Sequence, residues 1–209
     1  MCNLYRMKGR LEEVANLFRA EPSPGANFGE EVYPGYPGLV VAEGVARPMT
    51  WGFPLRLKTM KPTSKPKSVN NARDDKLMTP MWRNSFERRR CLIPVTQWAE
   101  AEGPSGKMTR TWYSMHGAEL FAVAGIWRPS DEWGDVYSMV MTDSCQQMSD
   151  VHDRMPIILR PDRYEQWTGG TPEEAMALVR TCDDTLAVDR STVPWVKPRT
   201  APSNPGALL

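Results

Sequence analysis

Leu120-Phe-Ala-Val-Ala-Gly-Ile-Trp127 and Val136-Tyr-Ser-Met-Val-Met-Thr142 are two apolar stretches separated by a short polar interval. A short apolar run bounded by polar and turn-forming residues is typical of a β-strand inside a core. Further runs of this kind are predicted to be strands at Leu39–Ala42, Pro48–Phe53, Cys91–Trp98, Ile157–Leu159 and Thr185–Val188. The frame of the molecule is therefore expected to be a β-sheet.

Helical segments are fewer. They are predicted at residues 10–20, 161–168 and 172–180, the first from apolar side chains at helical spacing. The third has a clear start, because Thr171 and Glu174 stand at capping-box spacing around Pro172. Strands outnumber helices and do not alternate with them regularly. This pattern favours an α+β domain on a largely antiparallel sheet over a doubly wound nucleotide-binding fold.

Composition indicates an ordinary globular protein. Of 209 residues, 41% are hydrophobic and 24% charged, which is enough for one sizeable core. We expect one domain over residues 1–198 and an extended, proline-containing tail over residues 199–209. No apolar run is long enough to span a membrane and no export signal stands at the start. The expected location is the cytoplasm, and the expected state is a monomer.

Cysteine usage argues against a metal site. The four cysteines, at positions 2, 91, 145 and 182, are far apart, with no C-x-x-C pair and only two histidines in the chain. This spacing makes a zinc site unexpected, and thiols stay reduced in the cytoplasm. No metal and no cofactor are therefore predicted.

A net charge of +1 hides a segregation of charge. Residues 56–90 contain eleven Lys or Arg against three Asp or Glu, so this segment alone carries +8. Its lysine-rich part, residues 61–67, contains two prolines and is predicted to be a loop. A local positive field of this kind commonly binds a phosphate backbone. The alternative is a basic loop that is only solvated.

Cys2 offers a chemistry that no internal cysteine has. If Met1 is removed, the α-amine and the thiol of Cys2 stand on adjacent carbons, and such a 1,2-aminothiol captures an aldehyde without a metal or cofactor. The amine forms an imine, and the thiol then closes a five-membered thiazolidine ring. Both nucleophiles titrate near neutrality, at about 7.7–8.0 and about 8.5, and the ring closure is intramolecular. The alternative is an accidental cysteine at a frayed terminus.

Three polar clusters carry groups that this chemistry needs. Asn71 and Arg73 stand together in the basic segment, where an amide and a guanidinium can hold a sugar hydroxyl and a phosphate. Glu100 ends the apolar run that starts at Cys91 and is expected to emerge at the mouth of that strand. A carboxylate against apolar walls has a raised proton affinity, which suits proton transfer during imine formation.

The third cluster is His152-Asp-Arg-Met-Pro156, just before a predicted strand. His152 can titrate near neutral pH and Arg154 can bind phosphate. Each cluster also has a structural alternative: a turn asparagine and a surface arginine in the first, an exposed loop glutamate in the second, and a satisfied polar histidine in the third.

In order and spacing, these motifs resemble the SOS-response-associated-peptidase (SRAP) family, whose members shield abasic sites in single-stranded DNA by covalent capture through an N-terminal cysteine. The resemblance rests on Cys2 after Met1, Trp51-Gly-Phe-Pro54, Asn71-Ala-Arg73, Arg90-Cys-Leu-Ile-Pro94 with Glu100 beyond it, and the His152 cluster. It implies a compact α+β fold with a positively charged DNA groove. It further implies that Cys2 is the covalent nucleophile, that Asn71 orients it and the opened deoxyribose, and that Glu100 and His152 handle protons.

The resemblance also implies DNA contacts. Arg73 and Arg154 would hold the phosphates beside an abasic site in single-stranded DNA, the implied partner. An aromatic residue that family members often carry after the glutamate is Ala101 here. Trp51 is a candidate to stack on a neighbouring base in its place, with core packing as the alternative.

Two other functions are compatible with an N-terminal cysteine. In an N-terminal-nucleophile peptidase or amidohydrolase, Cys2 would attack an amide with its own amine as base, but such an enzyme does not need a basic segment. A noncatalytic single-stranded DNA-binding module would leave Glu100 and His152 without a role. Cleavage of the DNA strand from the imine, and release of Met1 by the protein itself, are side activities that the same chemistry allows.

Overall fold

Short strands dominate the secondary structure of the computed structural model, which describes residues 2–61 and 63–196. In the described residues the strands are β1 (Tyr5–Arg6), β2 (Glu21–Pro22), β3 (Glu31–Val32), β4 (Pro37–Ala42), β5 (Val45–Trp51), β6 (Phe53–Leu55), β7 (Lys67–Val69), β8 (Asn71–Arg73), β9 (Arg90–Val95), β10 (Gln97–Glu102), β11 (Thr109–Met115), β12 (Phe121–Ser130), β13 (Gly134–Asp143), β14 (Arg154–Pro156), β15 (Ile158–Leu159) and β16 (Leu186–Pro194). The helices are α1 (Leu11–Leu17), α2 (Arg83–Arg88), α3 (Tyr164–Gly169) and α4 (Pro172–Met176). The predicted tail over residues 199–209 lies outside the described residues.

Two sheets and a ribbon organise these strands. One sheet has the order β16-β11-β10-β1-β3 and is antiparallel throughout. The other follows the path β14-β13-β12-β9-β4-β5-β2, with β15 on β12 and β8 on β13. Because β5 also pairs with β13, the strands β13, β12, β9, β4 and β5 close a ring. Strands β6 and β7 form the ribbon. The predicted α+β fold on a largely antiparallel sheet is confirmed.

Large aromatic side chains fill the core. Trp51, Trp98 and Trp167 are fully buried, and each removes from water an apolar surface that contributes about 2 kcal/mol or more to folding. The hydroxyls of Tyr5 and Tyr137 share a hydrogen bond of 2.5 Å inside this core. A Cβ atom on the residue between them would lie 2.1–2.2 Å from both oxygens. That position is Gly38, so its lack of a side chain makes room for the hydroxyl pair.

Two predicted strands are each divided in the structure. The run Cys91–Trp98 forms β9 in the ring and β10 in the other sheet, and the chain crosses between them at Thr96. The run Pro48–Phe53 is divided at Gly52, whose φ of +115° is a conformation that favours glycine. A continuous apolar run indicates that its residues are buried, but it does not indicate which sheet each residue joins.

Other boundaries also differ from the prediction. Helix α1 is shorter than residues 10–20, α4 ends at Met176 instead of residue 180, and α3 follows a 3-10 turn at Pro161–Arg163. Helix α2 and strand β11 were not predicted, and the segment Asn71–Arg73 proves to be a strand. Within residues 2–61 and 63–196, no helix is both long enough and apolar enough to cross a membrane.

Candidate active site

Cys2 lies three residues before the start of β1 and is fully buried. Its carbonyl oxygen accepts hydrogen bonds from Nδ2 of Asn70 at 2.9 Å and Nδ2 of Asn71 at 2.8 Å. Its thiol donates to the carbonyl oxygen of Leu4 at 3.6 Å. Strand β1 belongs to one sheet and β8, which begins at Asn71, to the other. The two amides therefore fix Cys2 where the sheets meet.

The backbone of Asn70 is held as firmly as its side chain. Its carbonyl oxygen accepts from Nε1 of Trp51 and from the backbone N–H of Met139, both at 3.0 Å, and its amide also donates to Oδ1 of Asn3 at 3.1 Å. Asn71 was predicted from the sequence and Asn70 was not. The sequence feature that could have identified Asn70 is its position next to Asn71, since two consecutive asparagines between the ribbon and a strand can both donate to one carbonyl oxygen.

Removing both amides is expected to cost more than the sum of the two single changes. Asn70→Ala or Asn71→Ala alone should lower the free energy of unfolding by about 1 kcal/mol, because one donor to the buried Cys2 carbonyl remains. The double variant leaves that carbonyl without a side-chain donor and should lose about 1 to 2 kcal/mol beyond additivity. Urea unfolding of the four proteins measures this coupling. Additive losses would show that the two amides do not share the carbonyl in solution.

Glu100 is buried in the middle of β10, with only 2% of its surface exposed. Its backbone lies opposite Thr111 of β11. The expectation that it emerges at the mouth of a strand is wrong, because the strand that carries it starts at Gln97. Burial raises the pKa of Glu100 to about 7. A carboxyl with such a pKa can give or take a proton at neutral pH.

His152 faces Glu100 from the segment before β14. Its Nε2 lies 3.9 Å from Oε2 of Glu100, and its Nδ1 accepts from the backbone N–H of Arg154 at 2.9 Å. Because Nδ1 is the acceptor, the neutral ring carries its proton on Nε2, the nitrogen that points towards Glu100. Burial lowers the pKa of His152. The imidazole is therefore neutral at neutral pH.

The Cys2 thiol is held in its protonated form. Burial raises the pKa of Cys2 well above its ordinary value, and the negative charge of Glu100 raises it further. A thiol of this kind is a poor nucleophile until a base removes its proton. Cys2, Asn71, Glu100 and His152, which are far apart in the sequence, are thus brought together by the fold.

The two predicted phosphate-binding arginines lie on either side of β13, in β8 and β14. Arg73 is half exposed and forms an ion pair with Asp75, with Nε 2.9 Å from Oδ1. Arg154 is mostly buried, and its Nη1 lies 2.9 Å from Asp74 and 3.2 Å from Asp143. A phosphate would have to compete with these carboxylates, more so at Arg154 than at Arg73.

Trp51 does not present a ring to solvent. It is fully buried, stacked with Tyr137 at a centroid distance of 6.5 Å and packed edge-on against Tyr5 at 5.0 Å. The suggestion that it stacks on a DNA base is therefore wrong, and the core alternative is correct. Through its indole N–H, Trp51 instead holds the backbone of Asn70 beneath Cys2.

The free positive charge near the site lies on the ribbon. We call residues 53–61 and 63–69, which include β6 and β7, the lysine hairpin. Lys58, Lys61, Lys65 and Lys67 are all exposed, and none forms an ion pair within the described part of the chain. Arg56, in contrast, pairs with Glu132 at 2.8 Å. Strand β7 leads through Asn70 into β8, so the hairpin is joined directly to the residues that hold Cys2.

The described residues include no group of three or more His, Cys, Asp or Glu side chains that could hold a metal ion. The site itself offers a thiol, a carboxyl group with a raised pKa, an imidazole and two amides. Fold and site together define a class of α+β proteins in which a cysteine next to the amino terminus lies beside a buried carboxyl group.

One family of this class matches almost the whole chain. The pattern of SOS response associated peptidase (SRAP) covers residues 1–193, and the protein belongs to that family. Abasic site processing protein YoqW of Bacillus subtilis (strain 168) is 28% identical over 124 residues, or 54% of this chain and 55% of that protein. Abasic site processing protein HMCES of Pongo abelii is 28% identical over 156 residues, or 56% of this chain and 43% of that protein. The match thus spans about half the length of these curated relatives.

Two solved structures have the same fold. A protein from Bordetella bronchiseptica is 23% identical with a TM-score of 0.77, over 91% of this chain and 99% of that one. A protein from Bacteroides thetaiotaomicron is 18% identical with a TM-score of 0.77, over 90% of this chain and 91% of that one.

Proposed function

We propose that this protein captures abasic sites in single-stranded DNA as a covalent thiazolidine adduct on Cys2, and so shields the lesion during the DNA damage response. The observation that carries the proposal is the position of Cys2 beside the buried Glu100 and His152 pair. Membership of the SRAP family and the names of the relatives, abasic site processing proteins, support the same substrate.

The chemistry begins once Met1 has been removed. The α-amine of Cys2 adds to the aldehyde carbon of the ring-opened deoxyribose, and one water leaves to give an imine. The sulfur of Cys2 then adds to the imine carbon, and the thiol proton is transferred to the nitrogen. The product is a five-membered ring that joins protein and DNA with the net loss of one water. Proximity favours closure, because amine and thiol belong to the same residue.

Glu100 is proposed to move the protons in both steps. In its acid form it protonates the hydroxyl that leaves as water, and in its carboxylate form it takes the proton of the Cys2 thiol. A pKa of about 7 makes both forms available at neutral pH. The proton on Nε2 of His152 can stabilise the carboxylate, and Asn71 keeps Cys2 in place through its carbonyl.

DNA binding is proposed to use the positive charge around this site as a groove for the phosphate backbone, with Arg73 and Arg154 beside the lesion. Because the base is missing, selectivity comes from aldehyde reactivity and from a pocket too small for a base, so little dependence on DNA sequence is expected. If the imine is not closed by sulfur, β-elimination can cleave the strand. Release of Met1 by the protein's own Cys2 site is a further proposed activity.

The direct test uses an oligonucleotide with an abasic site made by uracil excision. Incubation with protein that lacks Met1 should give a species whose intact mass is the sum of both molecules less one water. The same oligonucleotide with uracil retained is the control and should remain unmodified. Unmodified protein after incubation with the abasic DNA would refute the proposal in favour of a noncatalytic binding module.

Neutralising the lysine hairpin is expected to weaken DNA binding and to make the binding constant depend less on salt concentration. Each lost phosphate contact on a single strand reduces the slope of log K against log salt by about 0.7. Changing Lys58, Lys61, Lys65 and Lys67 together to Gln should therefore reduce the slope by about 2 to 3, measured by fluorescence anisotropy on DNA without a lesion. Lys107→Gln, an exposed lysine in another turn, is the control. An unchanged slope in the hairpin variant would exclude the hairpin from the phosphate contacts.

A further inference from the structure

A groove of about 830 Å³ lies between the carboxyl end of α1, the β4–β5 turn, the junction of α2 with β9, and α3. None of the four residues of the Cys2 site lines it. Its volume is in the range of sites that bury small ligands or short peptide segments, about 300–1,000 Å³. The groove is thus a second concave surface, separate from the site described above.

The floor of the groove is apolar, but its aromatic faces are already covered. Phe18 stacks on Tyr164 at a centroid distance of 5.3 Å. Trp127 has the guanidinium of Arg47 at 4.8 Å from its ring centroid and that of Arg89 at 6.0 Å. Flat bases bind single-strand sites by stacking on open ring faces. Rings that are covered in this way favour aliphatic or edge-on contacts instead.

The rim of the groove carries positive charge that the described residues do not neutralise. Arg19 and Arg88 are exposed and form no ion pair with any described residue, and Arg89 bonds to the amide oxygen of Asn84 at 2.7 Å. Arg90 is buried at the floor of the groove. Among the described groups, its guanidinium donates only to backbone carbonyl oxygens, including those of Phe86 and Trp167. Four guanidinium groups thus face a groove with no carboxylate bound to them.

Arg19 occupies its position at a conformational cost. It follows α1 with φ of +53°, in the left-handed conformation that ends many helices and that glycine adopts most easily. For a residue with a side chain, such as arginine, this conformation costs about 1 kcal/mol. Arg19 is one of the residues that line the groove, and it is exposed there.

We propose that this groove binds an acidic peptide segment of a partner protein, with carboxylates on Arg19, Arg88 and Arg89 and an apolar side chain over the floor. Recognition of acidic motifs by arginine clusters is a common mode of peptide binding. The carboxylates of Glu43, Asp162 and Glu165 also line the groove. They leave room for anionic groups only at the arginine positions, which suits a peptide with separated carboxylates better than a continuous phosphate backbone.

The test uses the full chain and an array of seven-residue peptides that permute acidic, amide and apolar positions. Peptides that combine Asp or Glu with Leu or Phe should bind, whereas the Asn/Gln and Ser versions should not. With the strongest of these peptides labelled by fluorescein, Arg88→Gln/Arg89→Gln should weaken binding about tenfold or more. Arg83→Gln, on α2 but outside the groove lining, is the matched control.

A second variant separates binding from folding. Arg19→Gly removes the charge and relaxes the backbone, so it should raise or preserve the melting temperature while weakening the peptide several-fold. Cys2→Ser should bind the peptide like the wild type, which keeps this result independent of adduct formation. Equal binding of the array by wild type and the Arg88/Arg89 variant, or displacement of the peptide by oligothymidine, would overturn the proposal.

Discussion

Cys2→Ser, with Met1 removed, is expected to form no stable adduct with abasic DNA. Serine keeps the α-amine, so the imine still forms, but a hydroxyl is a far weaker nucleophile than a thiol and does not hold the carbon as a stable ring. Wild type and variant are compared by intact mass after incubation with the same abasic oligonucleotide. The wild type should be converted to adduct, and the variant should return to its free mass.

Reduction separates the role of the amine from that of the sulfur. Borohydride added during the incubation should trap the imine of Cys2→Ser as a stable amine linkage. Because this imine is not diverted by sulfur, the variant should also cleave the DNA strand by β-elimination more than the wild type does. The readouts are the intact mass of the trapped protein and the length of the oligonucleotide on a denaturing gel.

The matched control is another cysteine in the same protein. Cys145 is a free, partly buried thiol outside the Cys2 site, and Cys145→Ser should form the adduct at the wild-type rate. Full adduct yield from Cys2→Ser without a reductant would contradict the thiazolidine. Loss of adduct in Cys145→Ser would move the reactive sulfur to another part of the molecule.

The sequence predicted the members of the site better than their surroundings. The structure brings Cys2, Asn71, Glu100 and His152 together, as their local motifs and the family resemblance indicated, and their catalytic roles stay a prediction. The apolar runs likewise predicted where β4, β12 and β13 lie. In these cases the pattern of neighbouring residues is enough to predict that a segment is a buried strand, without knowledge of the strands that pair with it.

What the sequence did not predict depends on partners far along the chain. The division of the run after Cys91 at Thr96 follows from which sheet each half joins, and the burial of Trp51 follows from its neighbours Tyr5 and Tyr137. The net charge of +8 in residues 56–90 also overstated the free charge. Arg73 is neutralised by a nearby carboxylate, whereas the four lysines of the hairpin are not.

Glu100→Gln is expected to slow adduct formation by about 10²- to 10⁴-fold, the usual contribution of a positioned acid or base. Glutamine keeps the size and shape of the side chain but can neither take the thiol proton nor give one to the leaving hydroxyl. The dissociation constant for abasic-free DNA should stay unchanged, because the buried group contributes no phosphate contact. Single-turnover adduct formation at saturating DNA measures the rate. Glu102→Gln on the same strand, a partly exposed group that pairs with Arg190, should behave like the wild type.

The pH profile should change with the rate. With ring closure as the slow step, the wild-type rate rises as the pH passes through about 7, since the carboxylate form of Glu100 is the base for a thiol whose own pKa is raised. A second rise follows the α-amine at about 7.7–8.0. Glu100→Gln should lose the first rise and keep the second. Equal rates, or a rise near pH 7 that persists in the variant, would remove Glu100 from the proton transfers.

The free energy of unfolding tests the ionisation of Glu100 without DNA. Because burial raises the pKa of Glu100 from its ordinary value to about 7, the folded protein binds a proton that the unfolded chain has released, and wild-type stability is lost as the pH rises towards 7. Glutamine has no such ionisation. Glu100→Gln should therefore match the wild type near pH 4 and exceed it at pH 8, by up to about 3 kcal/mol in urea unfolding. A variant that forms the adduct more slowly and yet is more stable would show that the buried carboxyl group serves the reaction and lowers the free energy of unfolding. Lower stability of the variant at pH 8 would instead show that Glu100 is a structural residue.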